Sequence, residues 1–332
     1  MKPILSAVLI VKNESAVLAR TLSSLRLFCD EIIVVDTGST DTTCDIAREF
    51  TDLVFDFVWT DNFATARNFA DSKARGEYLC RWDADWWISP VDAQKIEQLK
   101  IQGFAGADVI KMTWVNRYDP DTLAVQWSQP HDIIYKKDVF EWHFPVHEYL
   151  KPVAEKKVVS YEALDILVYH DKEQKPLRYL QDTSIISRFA ESLAVSSPDF
   201  VRAQLFLAQD SEFHTYIKLA IDAYTKVLEH TTDFSLIDFV QEKIILSHLK
   251  NKDISAATDF VDQIPQNNTE LPRTFLAIAD LIAVSISPLL ALEKYHQFES
   301  KISSLRQDSW GFDAARYVEH PKFMTAKITA LL

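Results

Sequence analysis

The chain has 332 residues, 48% of them hydrophobic and 25% charged, which is enough apolar content to bury a core and long enough to predict two domains. Its net charge of −13 argues against a general nucleic-acid or anionic-membrane binder, because such partners draw affinity from Lys and Arg meeting phosphate. Cys29, Cys44 and Cys80 are odd in number and embedded in apolar or helical patterns, so they read as reduced core thiols and predict a cytoplasmic protein.

The N-terminus enters a strand-like run at once, and the most apolar late stretch, Leu281 to Leu292, is short and broken by Pro288. Neither an export signal nor a membrane span is expected. Strand-like runs fall at Leu5 to Val11, Glu31 to Thr37, Leu53 to Val58 and Tyr78 to Trp82. Helical patterns lie between them at Ser15 to Leu27, with Ser15 as N-cap, and at Asp41 to Phe50 and Asp61 to Arg75. Strands alternating with helices predict a parallel sheet whose ligand crevice lies beyond the carboxyl ends of the strands. Three polar clusters fall at those ends and should converge: Lys12-Asn13-Glu14, Asp36 to Asp41, and Asp83-Ala84-Asp85.

From about Ala107 the pattern becomes aromatic and strand-rich, which reads as an extension of the sheet. After His170 it turns Ala- and Leu-rich and helical. Ala220, Ala256 and Ala291 each precede an aromatic residue by four positions, Tyr224, Phe260 and Tyr295, so the aromatics recur at intervals of 36 and 35. Such a period predicts stacked helix pairs of tetratricopeptide type, with a plain helical bundle as the alternative.

The segment "RWDADWW", Arg81 to Trp87, sets two carboxylates two positions apart at a strand end. Side chains two apart on a strand share a face, so Asp83 and Asp85 are expected to share one divalent cation. Such an ion keeps open positions for diphosphate oxygens. An Asp-x-Asp sequence is also a common cap or turn.

"VLIVKNES", "DEIIVVDTGSTDTT", "TARNFA" and "RWDADW", in this order and spacing, resemble the family 2 glycosyltransferases of the GT-A fold. The branch in question has a helical-repeat C-terminal half and includes peptide S-glycosyltransferases of bacteriocin biosynthesis. The resemblance is strongest over residues 5 to 90, patchier to 172, and architectural beyond. It implies a GT-A domain with a Rossmann-like mixed sheet over residues 1–172 and an all-α helical-repeat domain over 173–332. It further implies inverting transfer of a hexose or N-acetylhexosamine from a UDP-sugar, assisted by Mn²⁺ or Mg²⁺.

Carried over by position, Asp36 matches the carboxylate that contacts the nucleotide base, with a turn cap as its other reading. Lys12, Asn13 and Glu14 match the base and ribose contacts, Glu14 through its side chain. Arg67 matches an arginine near the nucleotide and the acidic motif; a helix-face salt bridge is the alternative. The resemblance also implies that Asp83 faces the ribose or reaches the metal through water, and that Asp85 ligates the metal directly. "FPVHEYL" resembles the family's "GRIHE" stretch, with Phe144-Pro145 where the family has its usual glycine. It makes Glu148 the expected base, poised by partial burial, and His147 its assistant. "ILVYHD" resembles "HYG" and makes His170 a metal ligand; a merely hydrogen-bonded His is the alternative. Of Trp86 and Trp87, one is expected to pack and one to face the sugar, Trp86 being the donor-site choice. Trp114, Trp127 and Trp142 could line an acceptor groove, and His131 and His143 have no assigned role.

The helical half is expected to recognise a peptide or protein acceptor or to mediate homodimerisation. Two rival readings are a transferase acting on a lipid-linked or lipopolysaccharide glycan, and a non-catalytic interaction protein with a relic front half.

Overall fold

The computed structural model of the chain describes residues 3–155, 157–171, 176–285, 287–298, 317 and 319–329. The chain divides into two compact units, Met1–Tyr179 and Leu180–Leu332. The expected boundary at 172–173 lies outside the described residues.

The first unit is built on strands β1 (Leu5–Val11), β2 (Glu31–Asp36), β3 (Val54–Asp56), β4 (Tyr78–Trp82), β5 (Trp86–Ile88), β6 (Val109–Tyr118), β7 (Val125–Lys136) and β10 (Ser160–His170). They form one eight-stranded sheet in the order β3-β2-β1-β4-β7-β6-β10-β5. β1 to β4 are parallel, β7 runs antiparallel to both of its neighbours, and β10 is parallel to β6. A small hairpin, β8 (Phe140–His143) with β9 (Tyr149–Pro152), stands apart.

Alternation along the strands covers both faces of the sheet. Leu5, Ala7, Leu9 and Val11 of β1 join Ile32 and Val34 of β2 in a core with Leu18, Leu22 and Leu25 of α1 (Leu18–Leu25). Val8, Ile33 and Val35 turn the other way and pack with Ala64 and Ala70 of α3 (Phe63–Lys73). A sheet buried on both faces explains why these strands read as nearly continuous apolar runs.

The expected elements are present with shortened ends. Helix α1 starts at Leu18, because Ser15 donates its backbone N–H to Asp41 rather than capping a helix. Helix α2 spans Thr43–Phe50. In α3 the N-cap is Asn62, whose Oδ1 accepts from Thr65 N at 2.9 Å. Before β4, Gly76 lies so close to β1 that a Cβ would come within 2.5 Å of Ser6 Oγ and 2.9 Å of Ser6 N. Gly76→Ala is expected to destabilise the protein by about 1–3 kcal/mol through overpacking, read as a lower Tm with the fold retained.

The second unit contains α5 (Pro176–Ser192) from Leu180 onward, α6 (Phe200–Phe213), α7 (Ile217–His230), α8 (Phe234–Lys250), α9 (Ile254–Gln263), α10 (Pro272–Ser285), α11 (Pro288–Phe298) and α12 (His320–Thr329). Consecutive helices pack as pairs, α6 with α7, α8 with α9 and α10 with α11. The periodic alanines fall on α7, α9 and α11, the second helix of each pair. Ala220 with Tyr224 and Ala291 with Tyr295 are buried as the spacing predicts. In α9 the contact is rotated by one residue: Ala257 is buried, while Ala256 and Phe260 are half-buried.

Candidate functional site

Two of the three polar clusters at the strand ends are joined to each other by hydrogen bonds. Asn13 at the end of β1 donates its N–H to Ser39 Oγ at 2.9 Å and accepts from Thr40 N at 2.8 Å. Asp36 closes the turn after β2, accepting from the N–H groups of Gly38 and Ser39. Gly38 has φ 105°, a conformation that favours glycine. Thr21 of α1 donates to the carbonyl of Ala84 at 2.6 Å, which ties the acidic loop to the same end of the sheet.

Lys12 and Asn13 are exposed there, whereas Glu14 is buried. Its N–H bonds to Thr43 Oγ1, and its carbonyl accepts from Val17 and Leu18 at the start of α1. The expected side-chain contact from Glu14 therefore meets a residue held inside the turn.

The acidic pair does not behave as a strand would make it behave. β4 ends at Trp82, and Asp83 to Asp85 form a turn in which Trp86 N bonds to Asp83 O. Period-two alternation no longer applies, and the two carboxylates meet different partners. Asp83 Oδ1 accepts from Arg67 Nη2 at 2.7 Å, and Arg81 Nη2 lies 3.6 Å from its other oxygen. Asp85 faces His170, with Oδ2 3.1 Å from Nε2.

β5 produces that second contact. It follows the acidic turn and pairs antiparallel with the end of β10, setting His170 opposite Trp86. The backbone N–H of Asp171 donates to Asp85 O at 2.9 Å. The Asp171 carboxylate is fixed in turn by Tyr118 and Arg20 and by Trp87 Nε1 at 3.3 Å.

His170 Nδ1 lies 3.0 Å from Asn116 Oδ1. With Asn116 presenting its amide oxygen, which only accepts, Nδ1 is the donor, and in a neutral ring the Nε2 lone pair then faces the Asp85 carboxylate. Two acceptors 3.1 Å apart need a shared cation, either a proton on the ring or a metal. Among the described residues no three His, Cys, Asp or Glu side chains form a ready cage. One carboxylate and one imidazole could hold a divalent ion that completes its shell with phosphate oxygens and water, the imidazole favouring a transition metal over Mg²⁺. Asp85 and His170 are thus the residues that could hold a divalent cation.

Glu148 lies on the other side of Asp83. Its Oε1 accepts from Arg67 Nε at 2.6 Å and stands 3.8 Å from Arg81 Nη2, and its side chain is only 9% exposed. Burial pushes the carboxyl upward, but the two guanidinium charges and the Arg67 hydrogen bond outweigh it and hold Glu148 below the usual glutamate range. The expected base, poised by partial burial, is here a buried ion-pair partner. The charge of Arg67 is reinforced by Glu148 and Asp83 against its own burial.

Phe144 has φ 85° and His147 φ 57°. Phe144 therefore takes the left-handed conformation that the usual glycine would favour, at the strain of a bulky residue. The loop is fastened to the start of α3, where Phe63 N donates to Pro145 O at 2.8 Å. His147 is exposed beside Glu148.

Trp86 is 2% exposed and packs among Trp82, Trp114 and His131. That corrects its reading as the sugar-facing residue. Trp87 is half-buried, stacked on Tyr169 with centroids 4.6 Å apart and with the Arg20 guanidinium 4.9 Å from its ring. Trp142 is core; its Nε1 donates to Asp71 at 3.1 Å. Asp71 is pushed up to about 7 by burial, against hydrogen bonds from Tyr135 and Trp142 and the charge of Arg67. Trp114 stacks on His170 at 5.2 Å, and Trp127, 44% exposed, meets Trp114 edge-on.

Sequence reasoning missed Arg81 and Asn116. Arg81 had a signal: a charged residue inside the apolar run of β4 needs buried partners, and these are His131 Nε2 at 2.9 Å, Asp83 and Glu148. His131 is driven down to about 3 by burial and by the Arg81 charge, so it stays neutral.

Residues 6–150 match the family described as Glycosyl transferase family 2. The N-terminal domain is a family 2 glycosyltransferase domain. The SPbeta prophage-derived glycosyltransferase SunS of Bacillus subtilis is 25% identical over 236 residues, 68% of this chain and 54% of that protein. A TPR repeat-containing protein of Synechococcus elongatus is 41% identical over 80 residues, 24% of this chain and 20% of that protein. These matches span from a fifth to about half of the relatives' own length. The crystal structure of S. aureus TarS aligns with a TM-score of 0.45 at 14% identity, covering 76% of this chain and 54% of that one. The first unit has a mixed eight-stranded sheet, and the second unit is all-α. Among the described residues no helix is long and apolar enough to cross a membrane.

Proposed function

We propose that the chain is an inverting glycosyltransferase that moves a hexose or N-acetylhexosamine from a UDP-sugar to a peptide or protein acceptor with the help of Mn²⁺ or Mg²⁺. The observation that carries this reading is the Asp85–His170 pair, a carboxylate and an imidazole held 3.1 Å apart beside the acidic turn. The cation they would hold supplies charge neutralisation for the departing diphosphate.

Asp83, clamped by Arg67 and Arg81, is in this reading the carboxylate on the ribose side of the donor. Asp36 spends part of its hydrogen-bonding capacity on Gly38 and Ser39. A carboxylate has about four lone-pair positions, so it retains room for a base N–H. Lys12 and Asn13 line the same turn. Glu148 acts in this reading by fixing Arg67, with His147 exposed next to it for the acceptor side.

UDP is expected to raise the Tm, and Mn²⁺ to raise it further, because a ligand bound only by the native state stabilises it by about 2.7 kcal/mol at a hundred times its Kd. A flat response to UDP with and without Mn²⁺ would overturn the donor assignment. Incubation with peptide and lipid-linked acceptors tests the other half, and transfer to lipid alone rejects the peptide acceptor.

A further inference from the structure

The helical unit contains a cavity of about 220 Å³ between α7, α8, α9 and the turn that follows α9. Leu228, Ile237, Phe260, Ile264 and Pro265 supply its apolar wall. The remaining lining residues are carboxamides, Gln241, Gln263 and Asn268, and no charged side chain contributes.

Two of these residues are largely buried and have amide hydrogen-bonding capacity to spare at the cavity. Asn268 is 9% exposed, and among the described residues its side-chain amide has no hydrogen-bond partner. Its own backbone is already engaged, N–H to Pro265 O and carbonyl to Leu271 N. Gln241, 4% exposed, accepts from Thr274 Oγ1 through Oε1 at 3.1 Å, and its Nε2 has no partner among the described residues. The spare amide atoms are not closed off from solvent; they open onto the cavity, where a ligand can pair with them.

We propose that this cavity is a peptide-binding site that takes one apolar side chain of an extended acceptor segment, the main chain of which bonds to Asn268 and Gln241. A carboxamide offers a donor and an acceptor side by side, which is what a peptide bond offers in return. The uncharged lining gives no counterpart to an ionic headgroup, phosphate or carboxylate. The volume is below the roughly 300–1,000 Å³ of sites that enclose a whole drug-sized molecule, and it suits one aliphatic or aromatic side chain. The inference rests on the peptide-acceptor reading and gives it a location.

The test uses the full chain and the blocked peptide acetyl-Ala-Ala-Leu-Ala-Ala-amide, followed by ligand-observed NMR. Saturable binding is expected, weakened at least about tenfold when the central Leu is replaced by Ala, since three buried carbons are lost. Asn268→Leu should weaken binding of the Leu peptide by about fivefold or more. The methyl resonances of Ile237 and Ile264 should shift on titration, which locates the site without any substitution. Equal binding of the all-Ala peptide, or methyl shifts confined to other residues, overturns the site. Its failure with stabilisation by UDP and transfer to a peptide both intact overturns the pocket alone; a saturable pocket on a protein that glycosylates no peptide overturns the acceptor reading instead.

Discussion

Asp85→Asn is expected to reduce sugar transfer by roughly 10²–10⁴-fold, because a bound cation contributes several kcal/mol of charge stabilisation and each 1.36 kcal/mol is a factor of ten. The substitution keeps the size of the side chain and lets an amide N–H meet His170 Nε2, which lies 3.1 Å from Asp85 Oδ2 in the native protein. The fold should therefore survive, and UDP binding without metal should be close to wild type. What disappears is the extra stabilisation by Mn²⁺. Calorimetric titration of UDP with and without Mn²⁺ on the same preparation separates these effects, and an undiminished Mn²⁺ enhancement in the variant would remove Asp85 from the cation site. Asn116→Leu provides the companion measurement. It deletes the acceptor that fixes the His170 tautomer, and losing such an orienting partner typically costs 10–100-fold in metal affinity.

The legibility of this site in the sequence follows from how local each feature is. β1 and β4 were readable to the residue because their apolar runs are buried on both faces and end abruptly in polar residues. The three clusters at the strand ends were placed correctly by the same logic. The resemblance gave Asp83 and Asp85 separate roles, but their separate contacts were not readable from periodicity, since these depend on β4 ending at Trp82 and on β5 crossing to pair with β10. A periodicity argument presumes a strand continuing through the motif, and the chain turns there. The state of Glu148 was hidden for a related reason: its two cations come from α3 and β4, 81 and 67 positions earlier in the chain. Burial was foreseen, but the sign of the resulting shift depends on neighbours that only the fold brings near.

In the helical unit the mid-thirties period gave the pairing of helices because it reflects a repeated packing step. It could not show the cavity, which arises where α9 is rotated so that Ala257 replaces Ala256 in the contact and Phe260 is left half-buried.

Glu148→Gln separates the two roles open to that residue, and the structure favours one of them. The Gln side chain can still accept from Arg67 Nε but cannot balance its charge, so of its two carboxylate partners Arg67 keeps Asp83. Weakening a buried charged pair in this way should cost about 1–3 kcal/mol of stability and leave turnover of the folded enzyme within about tenfold. The pH dependence adds a signature. Because Glu148 is held below its ordinary value, the carboxylate contributes stability above the unfolded glutamate pKa of about 4.3, and this contribution is lost as pH falls through the folded value. The Tm difference between wild type and variant should therefore be full at pH 6–7 and narrow on acidification below about pH 4. A general base would behave in the opposite manner, with turnover falling 10²–10⁴-fold at unchanged Tm and donor affinity. Single-turnover transfer and thermal unfolding of the same variant across pH decide the matter, and a collapse of turnover with an unmoved, pH-independent Tm would return the base assignment to Glu148.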